Sequence, residues 1–245
     1  MTERGADALR RNSIHLTIGP SSLSWVDGEL VARFDEATFP RLGRVRGEVR
    51  LRPLGKTDVA FALDPEERHI WRPLAPRAEV EVRLEAPSLT WTGQGYFDSN
   101  YGVEPLEAAF EDWDWCRAHL GDEARLYYDV RRVGGACAHL AVRFDRDGSC
   151  HEIATAPSRL APPTFWRMPR QVRADPSAPI ERLRTLEDTP FYSRSTFQTQ
   201  IDGEVAEVVH ESLSGRRLRA PIVKAMLPFR MPRWSRPWRF PSSQS

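Results

Sequence analysis

The chain has 245 residues, with 35 Lys and Arg against 34 Asp and Glu and a formal net charge of +1. This length is sufficient for one large or two small β domains, and the balanced charge gives no general attraction to nucleic acid. The 3 cysteines show no CxxC spacing, so the sequence supports neither a disulfide framework nor a metal site, and it suggests a reducing compartment.

Short runs of β-branched and aromatic residues, separated by Gly, Pro or Asp, predict a succession of strands. Alternation is clearest at Val80, Val82 and Leu84, which are interleaved with charged residues and indicate one wet and one dry face. In chain order, the predicted strands are 23–26, 30–34, 45–51, 59–63, 80–84, 89–91, 124–131, 138–144, 150–155, 165–172, 191–201 and 205–211.

Residues 105–120 are the one candidate helix in the first two thirds of the chain. Trp113 and Trp115 in this segment fit the start of a strand equally well, so both assignments stay open. Many short strands with turn signals and little helix predict an all-β, antiparallel barrel or sandwich. Such a fold can enclose an apolar small molecule, because inward side chains can be apolar while the outer face stays wet.

Two segments hold side chains suited to chemistry, RHIW at 68–71 and GQGYFDSN at 93–100. On a strand, residues two apart share a face, so His69 projects with Trp71, and Tyr96 projects with Asp98. A cavity that receives both strands would hold an acid, an imidazole and two aromatic rings. The alternative is structural: a lone histidine, an aspartate at a turn, and aromatic core residues. The sequence contains no GxSxG, GxGxxG or P-loop motif.

The motifs RGEV from residue 46, FALD from 61, HIWRP from 69, GYFDSN from 95, WDWCR from 113 and HESLSGR from 210 occur in this order. In this combination the chain resembles the carotenoid 1,2-hydratase family, also called hydroxyneurosporene synthase, over nearly its whole length. The resemblance implies a lipocalin-like β fold. It also implies cofactor-independent addition of water to the terminal double bond of acyclic carotenoids such as neurosporene or lycopene.

The resemblance places the catalytic residues of the family at Asp98, His69, Tyr96 and Trp71. We expect further residues of the same motifs to bind the substrate, and no metal to take part. These substrate-binding residues are Phe97, Asn100, Trp113 and Trp115.

Hydration of an isolated alkene requires a strong proton donor, and the resemblance points to an aspartic acid. An ordinary aspartic acid has a pKa near 3.9, so holding it protonated at pH 7 costs about 4 kcal/mol. An apolar pocket favours the neutral acid and removes much of this cost. The positive charge then develops on carbon, and aromatic faces stabilise it by up to about 2 kcal/mol each. The histidine either orients the acid or accepts a proton from water.

We expect a β subdomain at 1–160 that carries the site, a second at 161–219, and a basic and aromatic tail at 220–245. Family members usually carry several dozen further residues before the Met-Thr-Glu-Arg-Gly stretch, so we expect the first subdomain to be incomplete at its N-terminus. No acidic residue follows Glu211, so the tail is expected to contact an anionic membrane; the alternative is a disordered tail that binds nothing. No nucleic-acid partner is expected.

The polar start of the chain lacks the apolar region of a signal peptide, and no run of about 18 apolar residues occurs. We therefore expect a cytoplasmic protein that associates peripherally with the inner or intracytoplasmic membrane. Two other functions stay open: a non-catalytic, lipocalin-like carrier of an apolar ligand, and a related isomerase or cyclase that acts through a carbocation. The reaction product distinguishes these functions.

Overall fold

The structure is a computed structural model that describes residues 2–38, 42–226 and 231–233. Nearly all of its regular structure is β. In chain order, the elements are β1 (Thr2–Arg4), a 3-10 turn (Ala6–Ala8), β2 (Leu9–Arg11), β3 (His15–Ile18), β4 (Ser21–Val26), β5 (Glu29–Thr38), β6 (Gly43–Gly55), β7 (Phe61–Ala62), β8 (His69–Ala86), β9 (Leu89–Gly102), α1 (Leu106–Ala109), β10 (Phe110–Leu120), β11 (Glu123–Arg132), β12 (Cys137–Phe144), β13 (Cys150–Glu152), β14 (Ser158–Leu160), β15 (Gln171–Arg173), β16 (Glu181–Asp188), β17 (Tyr192–Ile201), β18 (Glu204–Ser214), α2 (Gly215–Leu218), α3 (Pro221–Met226) and β19 (Met231–Arg233).

The chain divides into two compact units, each assembled from separate stretches of sequence. The first comprises Met1–Pro53, Ala78–Gly95 and Leu227–Ser245, and the second comprises Leu54–Arg77 and Tyr96–Met226. Residues on both sides of position 160 belong to the second unit. The division into subdomains at 1–160 and 161–219 stays a prediction.

In the first unit, β2 to β6 form an antiparallel sheet, β8 follows β6 in the sheet order, and β9 pairs with β8. Glu48 of β6 lies 2.8 Å from Arg33, the residue opposite it on β5, and such a cross-strand pair of opposite charge favours this register. On β8, Val82 is buried and the next residue, Arg83, is exposed. The alternation predicted for this strand is therefore confirmed.

The second unit contains a seven-stranded antiparallel sheet in the order β13-β12-β11-β10-β18-β17-β16. The hairpin between β17 and β18 shows how the sequence closes these turns. Asp202 and Gly203 both have positive φ, 52° and 79°, as a two-residue turn of this kind requires. Asp-Gly is a favoured sequence for such a turn because glycine adopts positive φ without strain.

Two apolar clusters lie on opposite faces of this sheet. Cys116 and Tyr127, which are paired on β10 and β11, belong to what we call the Phe197 cluster. Trp115 and Tyr128 are also paired, and they belong to what we call the Trp71 cluster. Because side chains alternate along each strand, adjacent residues enter different clusters. The face that carries the Trp71 cluster also carries the candidate site described below.

The segment 105–120 is mainly a strand. Only Leu106–Ala109 is helical, and Phe110–Leu120 forms β10 in the middle of the sheet. Trp113 and Trp115 share one face of this strand, as expected for a period of two. The strand alternative for this segment is therefore confirmed.

The predicted strand at 165–172 is wrong, because only Gln171–Arg173 is a strand there. Proline lacks the N–H that a ladder needs, and Pro169 interrupts the segment. Arg170 is fully buried and donates to the hydroxyl groups of Ser193 and Ser195 at 3.2 and 2.8 Å. These hydrogen bonds hold the Arg170 side chain just before the short strand Gln171–Arg173 begins.

Two further differences concern the edges of the sheets. The strand predicted at 59–63 is limited to Phe61–Ala62, which pairs with Ile70 and Trp71 of β8. The edge strand β16, which the sequence did not predict, is rich in charged residues and has two irregularities in its register with β17. Charged and irregular edges resist pairing with other chains, and they lack the apolar pattern by which strands are predicted.

The predicted tail at 220–245 lies largely outside the described residues. Of this segment, the structure describes α3 and β19, and β19 pairs with β1 in parallel. No helix within the described residues combines the length and the hydropathy needed to span a lipid bilayer.

We expect Phe144→Ala to lower the free energy of unfolding by about 3–5 kcal/mol, because it removes apolar contacts and leaves a cavity. Phe144 is fully buried in the Trp71 cluster. Urea unfolding of both proteins measures the difference. Phe165→Ala is the matched control, since Phe165 is 86% exposed. An equal loss of stability in the two variants would contradict this assignment of the core.

Candidate active site

One face of four adjacent strands in the second unit forms the wall of a cavity of about 700 Å³. The register places Trp115 of β10 opposite Glu211 of β18, and Glu211 opposite Arg194 of β17. Because residues two apart share a face, the wall is continuous across these strands. It consists of Tyr128 on β11, Trp113, Trp115 and Arg117 on β10, Val209, Glu211 and Leu213 on β18, and Tyr192 and Arg194 on β17.

The start of β8 and the end of β9 contribute further polar groups to the cavity, and Glu104 follows β9. His69, Tyr96 and Asp98 all line it, so the structure brings three of the four predicted catalytic residues to one place. The fourth, Trp71, is fully buried and is not among the described lining residues. The indole Nε1 at the edge of its ring nevertheless donates a hydrogen bond to Asp98.

Asp98 is half-buried, and the side-chain donors around it all point to the same carboxyl oxygen, Oδ2. The indole Nε1 of Trp71 and the hydroxyl of Tyr96 both donate to Asp98 Oδ2 at 2.9 Å. The amide nitrogen of Asn100 lies 3.5 Å from the same oxygen. In a protonated carboxyl group, an oxygen that accepts two hydrogen bonds is the carbonyl oxygen. When Asp98 is protonated, its proton therefore resides on Oδ1.

His69 hydrogen-bonds with Asp64, and no described contact joins it to Asp98. Its Nδ1 lies 3.3 Å from Asp64 Oδ2, and the backbone N–H groups of His69 and Arg68 donate to the same carboxyl at 2.8 and 3.1 Å. Burial opposes ionisation of Asp64, but these hydrogen bonds outweigh it and hold its pKa below the usual value. An ionised Asp64 favours the tautomer with a proton on Nδ1, which leaves Nε2 as an acceptor.

The imidazole of His69 is held tightly by its surroundings. Nε2 is buried and has no hydrogen-bond partner among the described residues. A Cβ atom at Gly102 would lie 2.5 Å from His69 Cδ2 and 2.9 Å from Nε2, so the ring packs directly against backbone. The ring of Phe110 makes an edge contact with the imidazole at 4.7 Å. Rotation of His69 away from the cavity is therefore restricted.

Aromatic rings form much of the lining. The Tyr96 ring lies 5.1 Å from that of Trp115, and the Trp113 ring lies 5.6 Å from that of Tyr128. The Nε1 atoms of Trp113 and Trp115 are buried without a hydrogen-bond partner in the described part of the chain. Aromatic faces attract positive charge, and buried N–H groups at a cavity can hold water. The lining suits an apolar ligand on which a cation develops.

Buried charges near Tyr96 fix several protonation states. Burial and the Asp98 carboxylate raise the pKa of Tyr96 well above its usual value, so its hydroxyl stays a donor. The guanidinium of Arg117 lies 5.2 Å from the centre of the Tyr96 ring, and burial lowers the pKa of Arg117. Burial and Arg117 together lower the pKa of His119 to about 4. His119 is therefore neutral, and its Nε2 accepts from Arg117 at 2.6 Å.

A second carboxylate, Glu211, lies in the cavity wall. It accepts from Arg194 at 2.8 Å, and the Arg194 guanidinium lies 5.8 Å from the centre of the Tyr192 ring. Burial and the charge of Glu211 raise the pKa of Tyr192. These three side chains form a second polar cluster in the cavity, in addition to the one around Asp98.

The predicted substrate-binding residues divide into two groups. Asn100, Trp113 and Trp115 line the cavity. Phe97 is not among the described lining residues, because it alternates with neighbours on β9 that take the cavity side. Within the described residues, no group of three or more His, Cys, Asp or Glu side chains is arranged to hold a metal ion.

The sequence did not indicate three residues that matter to the geometry: Asp64, Arg117 and Glu211. Each lies inside a motif that carries the resemblance, at FALD, WDWCR and HESLSGR. Alternation with Trp113 and Trp115 was a usable signal for Arg117 on the same face of the strand. Nothing comparable indicates that a carboxylate five residues before His69 contacts its ring.

We expect the stability of the protein to fall at acid pH partly through Asp64. The pKa of Asp64 is lowered on folding, so its carboxylate contributes stability that is present above 3.8, the usual value, and is lost as pH falls through the folded value. Urea unfolding between about pH 6 and pH 3 measures this dependence. Asp64→Asn should show a shallower acid loss than the parent protein. Asp122→Asn, at a side chain that is 73% exposed, should keep the parent slope.

An unchanged acid slope in Asp64→Asn would contradict the role given to the hydrogen bonds of this carboxylate. Stability at neutral pH should also be lower in this variant, since a neutral amide replaces a buried carboxylate that accepts backbone N–H groups.

Comparison with solved structures supports the fold class. A protein provisionally named AttH, from Nitrosomonas europaea, superposes with a TM-score of 0.55 over 85% of this chain and 72% of its own, at 16% sequence identity. This similarity concerns the fold alone. It confirms the predicted all-β, lipocalin-like class.

Comparison of sequences is more specific. A protein named acyclic carotenoid 1,2-hydratase from Thiocapsa roseopersicina is 47% identical over 234 residues, which are 95% of this chain and 58% of that protein. A protein of the same name from Rhodobacter capsulatus is 43% identical over 235 residues, 95% of this chain and 83% of its own length. The chain thus spans less than two thirds of the first relative. Residues 1–241 match the family described as carotenoid hydratase CrtC. The motif resemblance is confirmed, and the chain belongs to this carotenoid hydratase family.

Proposed function

We propose that the protein adds water to the terminal C1–C2 double bond of acyclic carotenoids, such as neurosporene and lycopene, in carotenoid biosynthesis. The names of the two relatives support this reaction and this class of substrate. The cavity supports it independently, because aromatic rings such as those of Trp113 and Trp115 line it together with Asp98 and His69. The reaction needs only substrate, water and protons, so we propose that no cofactor takes part.

The observation that carries the proposal is the setting of Asp98. The indole N–H of Trp71 and the hydroxyl of Tyr96 donate to one oxygen of the carboxyl, and this oxygen is therefore the carbonyl oxygen of the protonated acid. The acid proton on the other oxygen is then the reactive group. A positioned acid of this kind is what protonation of an unactivated alkene demands.

In the first step, Asp98 transfers its proton from Oδ1 to C2 of the substrate. The two π electrons of the C1–C2 bond form the new C–H bond, and a tertiary cation develops at C1. The indole faces of Trp113 and Trp115 and the ring of Tyr96 line the cavity and stabilise the cation, by up to about 2 kcal/mol for each desolvated ring.

In the second step, water attacks C1 and His69 accepts its proton. Asp64 holds the proton on His69 Nδ1, so Nε2 is the basic atom. Of the two roles open to His69 in the sequence, the contact with Asp64 supports the second. Return of the proton from His69 to Asp98 through solvent completes the cycle, and the net change is addition of one water molecule.

The structure suggests a different role for Trp71 from that of Trp113 and Trp115. Trp71 is fully buried, and its Nε1 donates to Asp98. We propose that Trp71 acts through this edge to orient the acid, whereas the faces of the cavity-lining rings meet the cation. Tyr96 does both, since its hydroxyl donates to Asp98 and its ring lines the cavity.

We also propose that the protein works in the cytoplasm at the surface of the inner or intracytoplasmic membrane, where a hydrocarbon substrate resides. The sequence of the tail at 220–245 supports this, because basic residues alternate with Trp and Phe. The vesicle experiment described below tests this contact with a chain that ends at Met226.

We expect Asp98→Asn to reduce hydration of lycopene by at least about a hundredfold, because an amide has similar size but donates no acidic proton. Asp122→Asn is the matched control and should retain the parent rate. The assay uses water labelled with oxygen-18 and mass spectrometry of the carotenoids. A hydratase gives a labelled hydroxyl group, a carrier returns unchanged substrate, and an isomerase or cyclase gives a rearranged product without label. Steady turnover by Asp98→Asn would reject the proposed acid.

We expect Trp71→Phe to lower kcat by about tenfold or more, because phenylalanine keeps an aromatic ring but lacks the N–H that holds Asp98. Tyr96→Phe removes the second donor and should act in the same direction. Trp91→Phe is the control, since Trp91 is 46% exposed. Urea unfolding separates a loss of catalysis from a loss of folded protein. An unchanged kcat in folded Trp71→Phe would contradict the orienting role.

A further inference from the structure

Exposed apolar side chains surround the place where the cavity reaches the protein surface. Tyr101 and Leu106 line the cavity and are 57% and 43% exposed, so they mark its opening. Val103, between them in sequence, is 72% exposed. Ile222 on α3 is 73% exposed. We call these four residues the apolar rim.

Contacts with Glu107 place α3, which carries Ile222, beside α1, which carries Leu106. Lys224 of α3 lies 3.4 Å from the carboxylate of Glu107 in α1, and Arg219 donates to the backbone carbonyl of Glu107 at 2.6 Å. Val223 is buried, whereas its neighbour Ile222 is exposed. The short helix is therefore anchored on one side and presents an apolar side chain to solvent on the other.

Three basic side chains near the rim are each paired with a carboxylate. Arg68 lies 2.7 Å from Glu104, and Arg219 lies 2.6 Å from Glu111. Lys224 is paired with Glu107, as described above. The rim thus combines exposed apolar side chains with balanced charge, so its attraction to a surface rests on apolar burial and depends little on the charge of that surface.

We infer that the apolar rim inserts into a lipid bilayer and that the carotenoid passes from the acyl chains into the cavity through this opening. The inference rests on the proposed function for the identity of the ligand. A bilayer fits better than a second protein chain, because a hydrocarbon that enters through the rim must leave the lipid without crossing water. The balanced charges also fit zwitterionic headgroups.

The rim and the tail should therefore bind membranes by different forces. The chain runs from α3 directly into residues 227–245, which contain Arg233, Trp234, Arg236 and Trp238. Attraction between this basic segment and anionic lipid weakens with salt, whereas apolar insertion of the rim does not. Vesicles of different charge separate the two contributions.

The test is sedimentation of the full chain with zwitterionic phosphatidylcholine vesicles at high salt. Val103→Ser combined with Ile222→Ser should weaken this binding by about tenfold, because two exposed apolar side chains no longer enter the lipid. Neither residue lines the cavity. Val205→Ser is the matched control, because Val205 is also largely exposed, at 63%. It lies near the start of β18, whereas α2 and α3 follow the end of that strand, so this change should leave binding unchanged.

The chain that ends at Met226 keeps the rim and should bind these vesicles as the full chain does, while losing much of its extra affinity for anionic vesicles at low salt. Equal binding by the rim variant and its control would overturn the inference. So would stronger binding after removal of residues 227–245, which would identify the tail as the cover of the rim. Loss of a dimer in the rim variant, measured by sedimentation velocity, would identify a second copy as the partner.

Activity assays keep this inference distinct from the proposed function. The rim variant should hydrate lycopene in detergent micelles at the parent rate, and lycopene in vesicles about tenfold more slowly. If the parent protein hydrates neither form, the proposed function fails, and the vesicle binding still decides whether the rim contacts lipid.

Discussion

Consecutive side chains of a strand point to opposite faces of the sheet. Along β10 and β18, adjacent residues therefore lie alternately in the cavity and in the packed core on the other face. Trp115 and Glu211 face the cavity, whereas Cys116 and His210 are buried on the other side of the sheet. The Nε2 of His210 lies 2.8 Å from the backbone carbonyl of Gln171, a contact that only the packed face can offer. A register shift of one residue would bury Glu211 and expose His210, so the cavity exists only in this register.

Within that frame, the site depends on hydrogen bonds that act on different atoms of two acid-base groups. Asp98 accepts its hydrogen bonds on one oxygen, and His69 donates from Nδ1 to Asp64. In each case one atom is engaged by the protein, and the other is left for the proposed reaction. A carbon cation is captured by any strong nucleophile nearby, so stabilisation by aromatic faces, with the acid and base held apart from one another, suits this chemistry.

Much of this arrangement follows from the sequence because the relevant rules are local. A period of two on β8 and β9 is enough to group His69 with Trp71 and Tyr96 with Asp98, and the motifs indicate the family to which the chain belongs. Local rules do not say that Trp71 would present its ring edge, since burial of a ring depends on strands distant in sequence. They also miss Glu211, which is more than a hundred residues from Asp98 and reaches the cavity through the pairing of β10 with β18. The prediction at 165–172 failed for a related reason, because the buried Arg170 side chain bonds to Ser193 and Ser195, partners that no local pattern indicates.

The packing of His69 against Gly102 has a consequence for what happens after a cation forms. A tertiary cation partitions between capture by water and loss of a proton from a neighbouring carbon, and the second path yields an isomer of the starting alkene. Which path prevails depends on where the base stands during the brief life of the cation. Peptide backbone at Gly102 and the buried ring of Phe110 both limit the position of the imidazole. In the proposed reaction, the ratio of alcohol to isomer would therefore depend on backbone and a buried ring, whose positions vary much less than an exposed side chain does.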